Sequence, residues 1–267
     1  MQASNYLVCS TVRSGSTLLC KTLEQFDGFG KPQEYFHRHL VRKLRLNNNP
    51  QKFLEYCDDI VREGIENHGT FGMKMHWWQL IDFLGLARQC PHLKERTNLE
   101  ILSILFSNLK FIYLWRNDIE AQAISAAIAS QTGEWEKLNQ RAEKPEEDKK
   151  IRENVSSKTI KFQPWKIYEW EKSLRHQKRC WQKFFIDNHL EYHEIIYENL
   201  VDSFNDEITK TLNYIGVSLN GDYTRINIPT KRQSNAVNLR FLNYYKILPG
   251  SLLAAIYWVY CLKQLRD

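Results

Sequence analysis

The sequence has no CxxC pair and no cysteine–histidine grouping at metal-ligand spacing. Its six cysteines, Cys9, Cys20, Cys57, Cys90, Cys180 and Cys261, are scattered. A disulfide framework and a zinc module are therefore not expected, and no metal is assigned. Cys9 and Cys20 fall in apolar positions and read as small core residues. The start of the chain has no signal-peptide pattern, so a reducing cytoplasm is the expected compartment. A run long enough to span a membrane is also missing. The C-terminal "LPGSLLAAIYWVYCL", residues 248–262, is 15 residues long, whereas a span needs about 20. The expectation is a helix docked on the protein or resting at a membrane interface. Charge of one sign is scarce too: 37 basic against 31 acidic residues leave a net +6. That suits an anionic small ligand, and it gives no reason to expect a nucleic-acid partner. The run "HRHLVRKLR", residues 37–45, has four Arg/Lys and no acid, and reads first as a solvated helix face and second as an attractor of anionic substrate or membrane.

What is present is an alternation of apolar strands and helical stretches. Strands are expected at about 5–10, 70–77, 109–116 and 191–197, with helices at about 16–26, 50–67, through 107, after Asp118, at 165–188 and at 203–215. "LKFIYLWR", residues 109–116, is nearly continuous in apolar residues, as in a central parallel strand. The order βαβαβαβα predicts an α/β fold, a three-layer sandwich with a parallel sheet between helices. Its 267 residues suffice for a single domain, 1–267. Residues 136–158 are densely charged and read as a mobile insertion. Ligands of such sheets sit beyond the carboxyl ends of the strands. Arg13, Glu34, Lys74, Arg116 and Glu198 all end or follow strands in this reading.

The first of these junctions is the informative one. "LVCSTVRSGSTLLCKTL", residues 7–23, joins a strand to a helix through small hydroxylic residues, one glycine and one arginine, without any acid. A helix N-terminus offers free N–H groups and a positive dipole end, which favour an anion. Gly15 allows close approach of the backbone; Ser14, Ser16 and Thr17 add hydroxyls, and Arg13 adds fixed charge. The reading is a phosphate or sulfate cradle; the alternative is an ordinary turn with Ser16 as N-cap. A Walker A loop requires GxxxxGK[ST], but "TVRSGSTL" has neither the first glycine nor the lysine. No apolar strand ends in a clean magnesium-binding Asp either. An ATP or GTP enzyme is disfavoured, and an anionic donor that needs no metal fits better.

"RSGSTLL" (13–19) resembles the 5'-phosphosulfate loop of sulfotransferases that use 3'-phosphoadenosine 5'-phosphosulfate (PAPS). Together with "GKPQEYF" (30–36), "FGMKMHW" (71–77), "RNDIEAQAISAAIASQTGEW" (116–135), "YENL" (197–200) and "RQ" (232–233), it is similar to the bacterial trehalose 2-sulfotransferase family. Two positions depart from it: Val12, where proline is usual, and Asn117, where a second arginine is common.

The resemblance implies a P-loop-like fold and PAPS as donor co-substrate. It implies Glu34 as general base, Arg13 as stabiliser of the leaving 5'-phosphate, and Arg13, Ser14, Gly15, Ser16 and Thr17 as its cradle. Arg116 with Ser125 would take the 3'-phosphate, and Arg232 would close over the nucleotide. Lys74 is either a contact to the sulfuryl oxygens or a structural ion-pair partner. His37, His39 and His76 are rival bases, and Tyr197 and Glu198 read as packing at the fourth strand end. The acceptor would be a hydroxyl of a sugar, glycolipid or hydroxylated small molecule, and the resemblance admits a homodimer. The competing readings are a metal-dependent P-loop small-molecule kinase and a nucleotide-binding module without catalysis.

Overall fold

The structure is a computed structural model that describes residues 5–135, 160–216, 226–230 and 236–264. The expected insertion at 136–158 lies outside the described residues. The chain divides into two compact units: 1–115 with 177–227, and 116–176 with 228–267.

The first unit is built on four parallel strands, β1 (Asn5–Ser10), β2 (Gly72–His76), β3 (Leu109–Trp115) and β4 (Tyr192–Ile196), in the order β2-β1-β3-β4. Its helices are α1 (Ser16–Leu23), α2 (Arg38–Lys43), α3 (Pro50–His68), α4 (Trp77–Ala87) and α5 (Asn98–Leu105). The later part of α7 (Pro164–Asp187) follows, then α8 (Tyr197–Asp202) and α9 (Phe204–Ile215). Side chains alternate across each strand, and the two faces feed two cores. Leu7, Cys9, Met73, Met75, Phe111 and Tyr113 join a cluster with α3, α4, α5 and Trp181 of α7. Tyr6, Val8, Ile112, Leu114 and Ile195 join another with Leu19 and Leu23 of α1 and Ile208 and Leu212 of α9. β1 and β3 are buried on both faces, which explains their unbroken apolar runs. This is the α/β three-layer architecture with a central parallel sheet.

Element boundaries differ from the sequence reading where local geometry intervenes. α1 stops at Leu23 because the chain tightens there: Gln25 N–H donates to Thr22 O and Phe26 N–H to Leu23 O, three-residue bonds that close the helix. Phe26 and Phe29 then turn into the core. β2 ends at His76, one residue early, since His76 already serves as the N-cap of α4.

The second unit holds α6 (Ile119–Thr132), the first part of α7, α10 (Ala236–Lys246) and α11 (Gly250–Gln264). Asp118 caps α6 as its sequence suggests, accepting from the Ala121 N–H at 2.9 Å. The C-terminal apolar stretch forms α11, shifted two residues later than expected by Pro249, which precedes its first turn. α10 was not expected at all.

Candidate active site at the carboxyl ends of β1 and β2

The strand order reverses direction about β1, whose neighbours are β2 on one side and β3 on the other. In doubly wound sheets this switch point is where a ligand crevice opens. The loop at 11–15 leaves β1 there. Gly15, with φ of 90°, is the N-cap of α1, so Ser16 is the first helical residue and not the cap. The first intrahelical bond runs from the Leu19 N–H to the Gly15 carbonyl at 3.1 Å. The N–H groups of Ser16, Thr17 and Leu18 therefore precede the helical ladder.

Gly15 is required twice over. Its φ is left-handed, and a Cβ there would lie 2.5 Å from Cδ2 of Tyr197, whose ring packs on this turn. Arg13 also has positive φ, 62°, which is uncommon outside glycine. Buried Ser14 donates its hydroxyl to the Thr11 carbonyl at 2.8 Å, so that group shapes the loop, and the backbone N–H is what Ser14 offers a ligand. The Ser10 carbonyl, at the base of the loop, accepts from Trp181 Nε1 at 3.0 Å.

Glu34 reaches the neighbouring strand end through backbone pairing. The 30–36 segment runs beside β2: Gln33 bridges to Met73, and its carbonyl accepts from the Lys74 N–H at 2.9 Å. Gly30, with φ of 73°, permits this, because a Cβ there would sit 2.4 Å from the Thr70 carbonyl oxygen. The register places Glu34 beside Lys74, with Lys74 Nζ 2.7 Å from Glu34 Oε1. Gln79 Nε2 donates to Glu34 Oε2. Gln79 is itself held by the His76 N–H, which donates to its Oε1 at 2.7 Å, and His76 Nδ1 lies 3.0 Å from the Ser10 hydroxyl. His76 Nε2 is 4.0 Å from Glu34 Oε1. Lys74, His76 and Gln79 are buried, while the Glu34 side chain keeps 24 % exposure.

Burial alone would raise the Glu34 carboxyl, but Lys74, His76 and the hydrogen bonds from Lys74 and Gln79 outweigh it and bring it to about 2. Burial pushes His76 down to about 4, against the attraction of Glu34. His76 is thus neutral at working pH, and Lys74 is the charge that keeps Glu34 ionised there. A neutral, buried imidazole committed to Ser10 is poorly placed to be the base; Glu34 is ionised and accessible.

His76 sets a stability window. Its folded pKa lies below the unfolded value of about 6.5, so its contribution is intact above that pH and is lost as pH falls towards 4. The loss amounts to about 2 kcal/mol by pH 5. Thermal unfolding at pH 7 and pH 5 should show it, and His76→Gln should flatten the decline. An equal decline in that variant would place the sensitivity elsewhere. Glu34 acts in a lower window, below about pH 4.5, because its folded value is depressed from the carboxylate range.

The remaining candidates divide. Arg116 follows β3 and is half-buried, and Ser125 is half-buried on α6 between buried Ile124 and Ala126. Both belong to the second unit. Arg232 lies outside the described residues. His37 caps α2, accepting from the His39 N–H, with its ring 5.8 Å from that of Trp78; His39 is exposed. Among the described residues, no group of three or more His, Cys, Asp or Glu could hold a metal ion. Sequence reasoning missed Gln79, Ser10 and Trp181. Gln79 had a signal, since it stands three residues after a helix cap, the spacing of a capping box.

The family model described as Stf0 sulphotransferase matches residues 5–247. The chain is 23% identical over 238 residues to the trehalose 2-sulfotransferase of Mycobacterium tuberculosis (strain ATCC 35801 / TMC 107 / Erdman), covering 79% of this chain and 84% of that one. It is 23% identical over 239 residues to the trehalose 2-sulfotransferase of Mycolicibacterium smegmatis (strain ATCC 700084 / mc(2)155), with the same coverage. Among solved structures it is similar to a sulfotransferase from Alicyclobacillus acidocaldarius, with 15% identity, a TM-score of 0.48 and coverage of 96% and 97%. The sulfotransferase domain from the curacin biosynthetic pathway matches with 15% identity, a TM-score of 0.45 and coverage of 81% and 75%.

Proposed function

Since the chain belongs to the Stf0 sulphotransferase family, we propose that it moves a sulfuryl group from PAPS to a hydroxyl of a sugar, glycolipid or hydroxylated small molecule, with Glu34 as general base. The observation that carries this reading is the pairing, on adjacent parallel strands, of an anion cradle after β1 with an ionised, accessible carboxylate beside β2. The cradle fits an anion without a metal: its amides precede the helical ladder and Arg13 stands in the loop.

The donor supplies an activated sulfur whose leaving group is adenosine 3',5'-bisphosphate. Sulfuryl transfer, like phosphoryl transfer, needs positioning and charge stabilisation more than covalent help. The acceptor oxygen forms its bond to sulfur, the bond from sulfur to the bridging oxygen breaks, and the acceptor proton passes to Glu34. Arg13 and the amides of residues 14–17 stabilise the charge that grows on the 5'-phosphate. Lys74, held on Glu34 at rest, is the cation nearest the base and serves the sulfuryl oxygens; as it leaves Glu34, the carboxylate becomes the stronger base that proton removal requires. Ser16 and Thr17 hold the 5'-phosphate, and Arg116, Ser125 and Arg232 are assigned to the 3'-phosphate and the nucleotide. The sugar preference is taken from the relatives' trehalose activity. A screen of sugar, glycolipid and phenolic acceptors with radiolabelled donor in excess EDTA tests the reading. Transfer of label supports it; a strict need for magnesium and ATP would favour the kinase alternative.

One consequence concerns the spent donor. Calorimetry should show adenosine 3',5'-bisphosphate binding more tightly than AMP, and Arg116→Ala should remove most of the difference, about 1.5–3 kcal/mol for a charge-assisted contact. Equal affinity for the two nucleotides in the unmodified protein would remove the 3'-phosphate assignment.

A further inference from the structure

α11 presents an apolar face to solvent on the side where a soluble helix would be polar. Leu252, Ala255, Val259 and Leu262, spaced three, four and three residues apart, form one exposed stripe, and Trp258 lies beside it with 63 % exposure. The opposite side is held: Tyr257 packs edge-on against Tyr168 and Tyr260 stacks on Trp165, with ring centroids 5.6 and 5.8 Å apart. Lys172 sits over the Tyr257 ring, and Leu253 is buried. The helix is thus anchored by one face to the first part of α7, and no described residue covers its other face. At the bend before it, which turns the chain by 105° from α10, Ile247 is 77 % exposed, and Leu239 on α10 is 61 % exposed. The family match ends at residue 247, so α11 lies beyond what the family relationship accounts for.

The charge that α10 and α11 themselves carry is of one sign. Between residues 236 and 264 there are Arg240, Lys246 and Lys263, all exposed, and not one Asp or Glu. The acids on the adjoining part of α7 are engaged: Glu169 pairs with Lys166, and Glu171 with Arg175 and the Tyr245 hydroxyl. We propose that the exposed face of α11, with the Ile247 bend, docks on an anionic lipid surface and lies in its plane. An apolar stripe flanked by lysine and arginine, with a tryptophan at its margin, matches the chemistry of a headgroup–acyl boundary bearing negative charge. α11 by itself is too short to span, since 15 residues of helix cover about 22 Å against a hydrocarbon core of about 30 Å, and the 105° bend sets it at an angle to α10. Self-association through this face is disfavoured, because a two-fold contact would bring the cations of one copy against those of the other with no acid between them.

The full-length protein should co-sediment with phosphatidylcholine vesicles containing phosphatidylglycerol at least about ten-fold more than with phosphatidylcholine alone. Trp258→Glu with Leu262→Glu should reduce that binding at least about ten-fold. Both positions face solvent, so the fold should be kept, as circular dichroism would register. Lys246→Glu with Lys263→Glu should abolish the preference for the anionic vesicles while leaving the apolar face intact. Light scattering adds the competing outcome. No vesicle binding, equal binding to both vesicle types, or a dimer that Trp258→Glu dissociates would each overturn the proposal. None of these readouts depends on sulfuryl transfer, so failure here leaves the catalytic reading standing.

Discussion

Replacing Glu34 by Gln is expected to lower single-turnover sulfuryl transfer by about 10²–10⁴-fold at saturating donor and acceptor. The amide keeps the side chain's size and an acceptor oxygen but cannot take a proton. Donor affinity should change little, because the cradle proposed to bind the donor is built on the loop after β1, whereas Glu34 belongs to the segment laid beside β2. The substitution leaves buried Lys74 facing a neutral group, with an expected stability loss of about 1–3 kcal/mol. Glu34→Gln with Lys74→Met removes that conflict, and comparing it with Lys74→Met alone, which keeps the carboxylate, separates the lost proton acceptor from the lost cation. The pH profile separates the roles further. With Lys74 holding Glu34 near about 2 in the free protein, kcat/KM should show no acid limb from Glu34 above pH 5. Lys74→Met leaves burial as the dominant influence, so the limb should climb into the measurable range. If Glu34→Gln keeps near-normal rates while His76→Ala or His37→Ala is inactive, the base is the histidine.

Arg13→Ala should reduce kcat by about 10²–10³-fold and change the dissociation constant of adenosine 3',5'-bisphosphate far less. The charge Arg13 is proposed to stabilise develops mainly as the bridging bond breaks, so its loss belongs in kcat and not in ground-state binding. Arg13→Lys should recover only part of the rate, since an ammonium lacks the planar fork that matches phosphate oxygens. Because residue 13 has φ of 62°, Arg13→Gly serves as a control: it removes the side chain and any backbone strain together. If Arg13→Ala and Arg13→Gly raise only the donor KM, Arg13 binds and does not catalyse.

The sheet was legible because β1 and β3 are buried on both faces and so read as continuous apolar runs. The turn proposed as the cradle was legible as a strand–helix junction because its residue types are tied to local backbone chemistry: a glycine at positive φ, hydroxyls and an arginine within one turn. The network around Glu34 was not. Its members, Ser10, Glu34, His76 and Gln79, are assembled by Gln33 pairing alongside β2 and by β2 pairing with β1. Nothing local in any of the three segments announces that register. The short helices α2 and α8 were hard to delimit for a related reason: with one buried residue apiece, Val41 and Leu200, they carry no periodicity. α11 was readable as an apolar, short segment two residues from its observed bounds, but which of its faces is buried depended on the aromatic contacts with α7.

The central position of β1 also governs when the cradle can exist. Asn5 pairs opposite Leu109, and Tyr6 opposite Gly72, so β1, which precedes both neighbours in the chain, must wait for them. At translation speeds of about 5–20 residues per second, roughly 5–20 seconds separate β1 from β3. During that interval the buried strand "NYLVCS" lacks at least one of its two neighbours. Nascent chains stalled before β3 should therefore be chaperone clients, and fragments that end before β3 should aggregate.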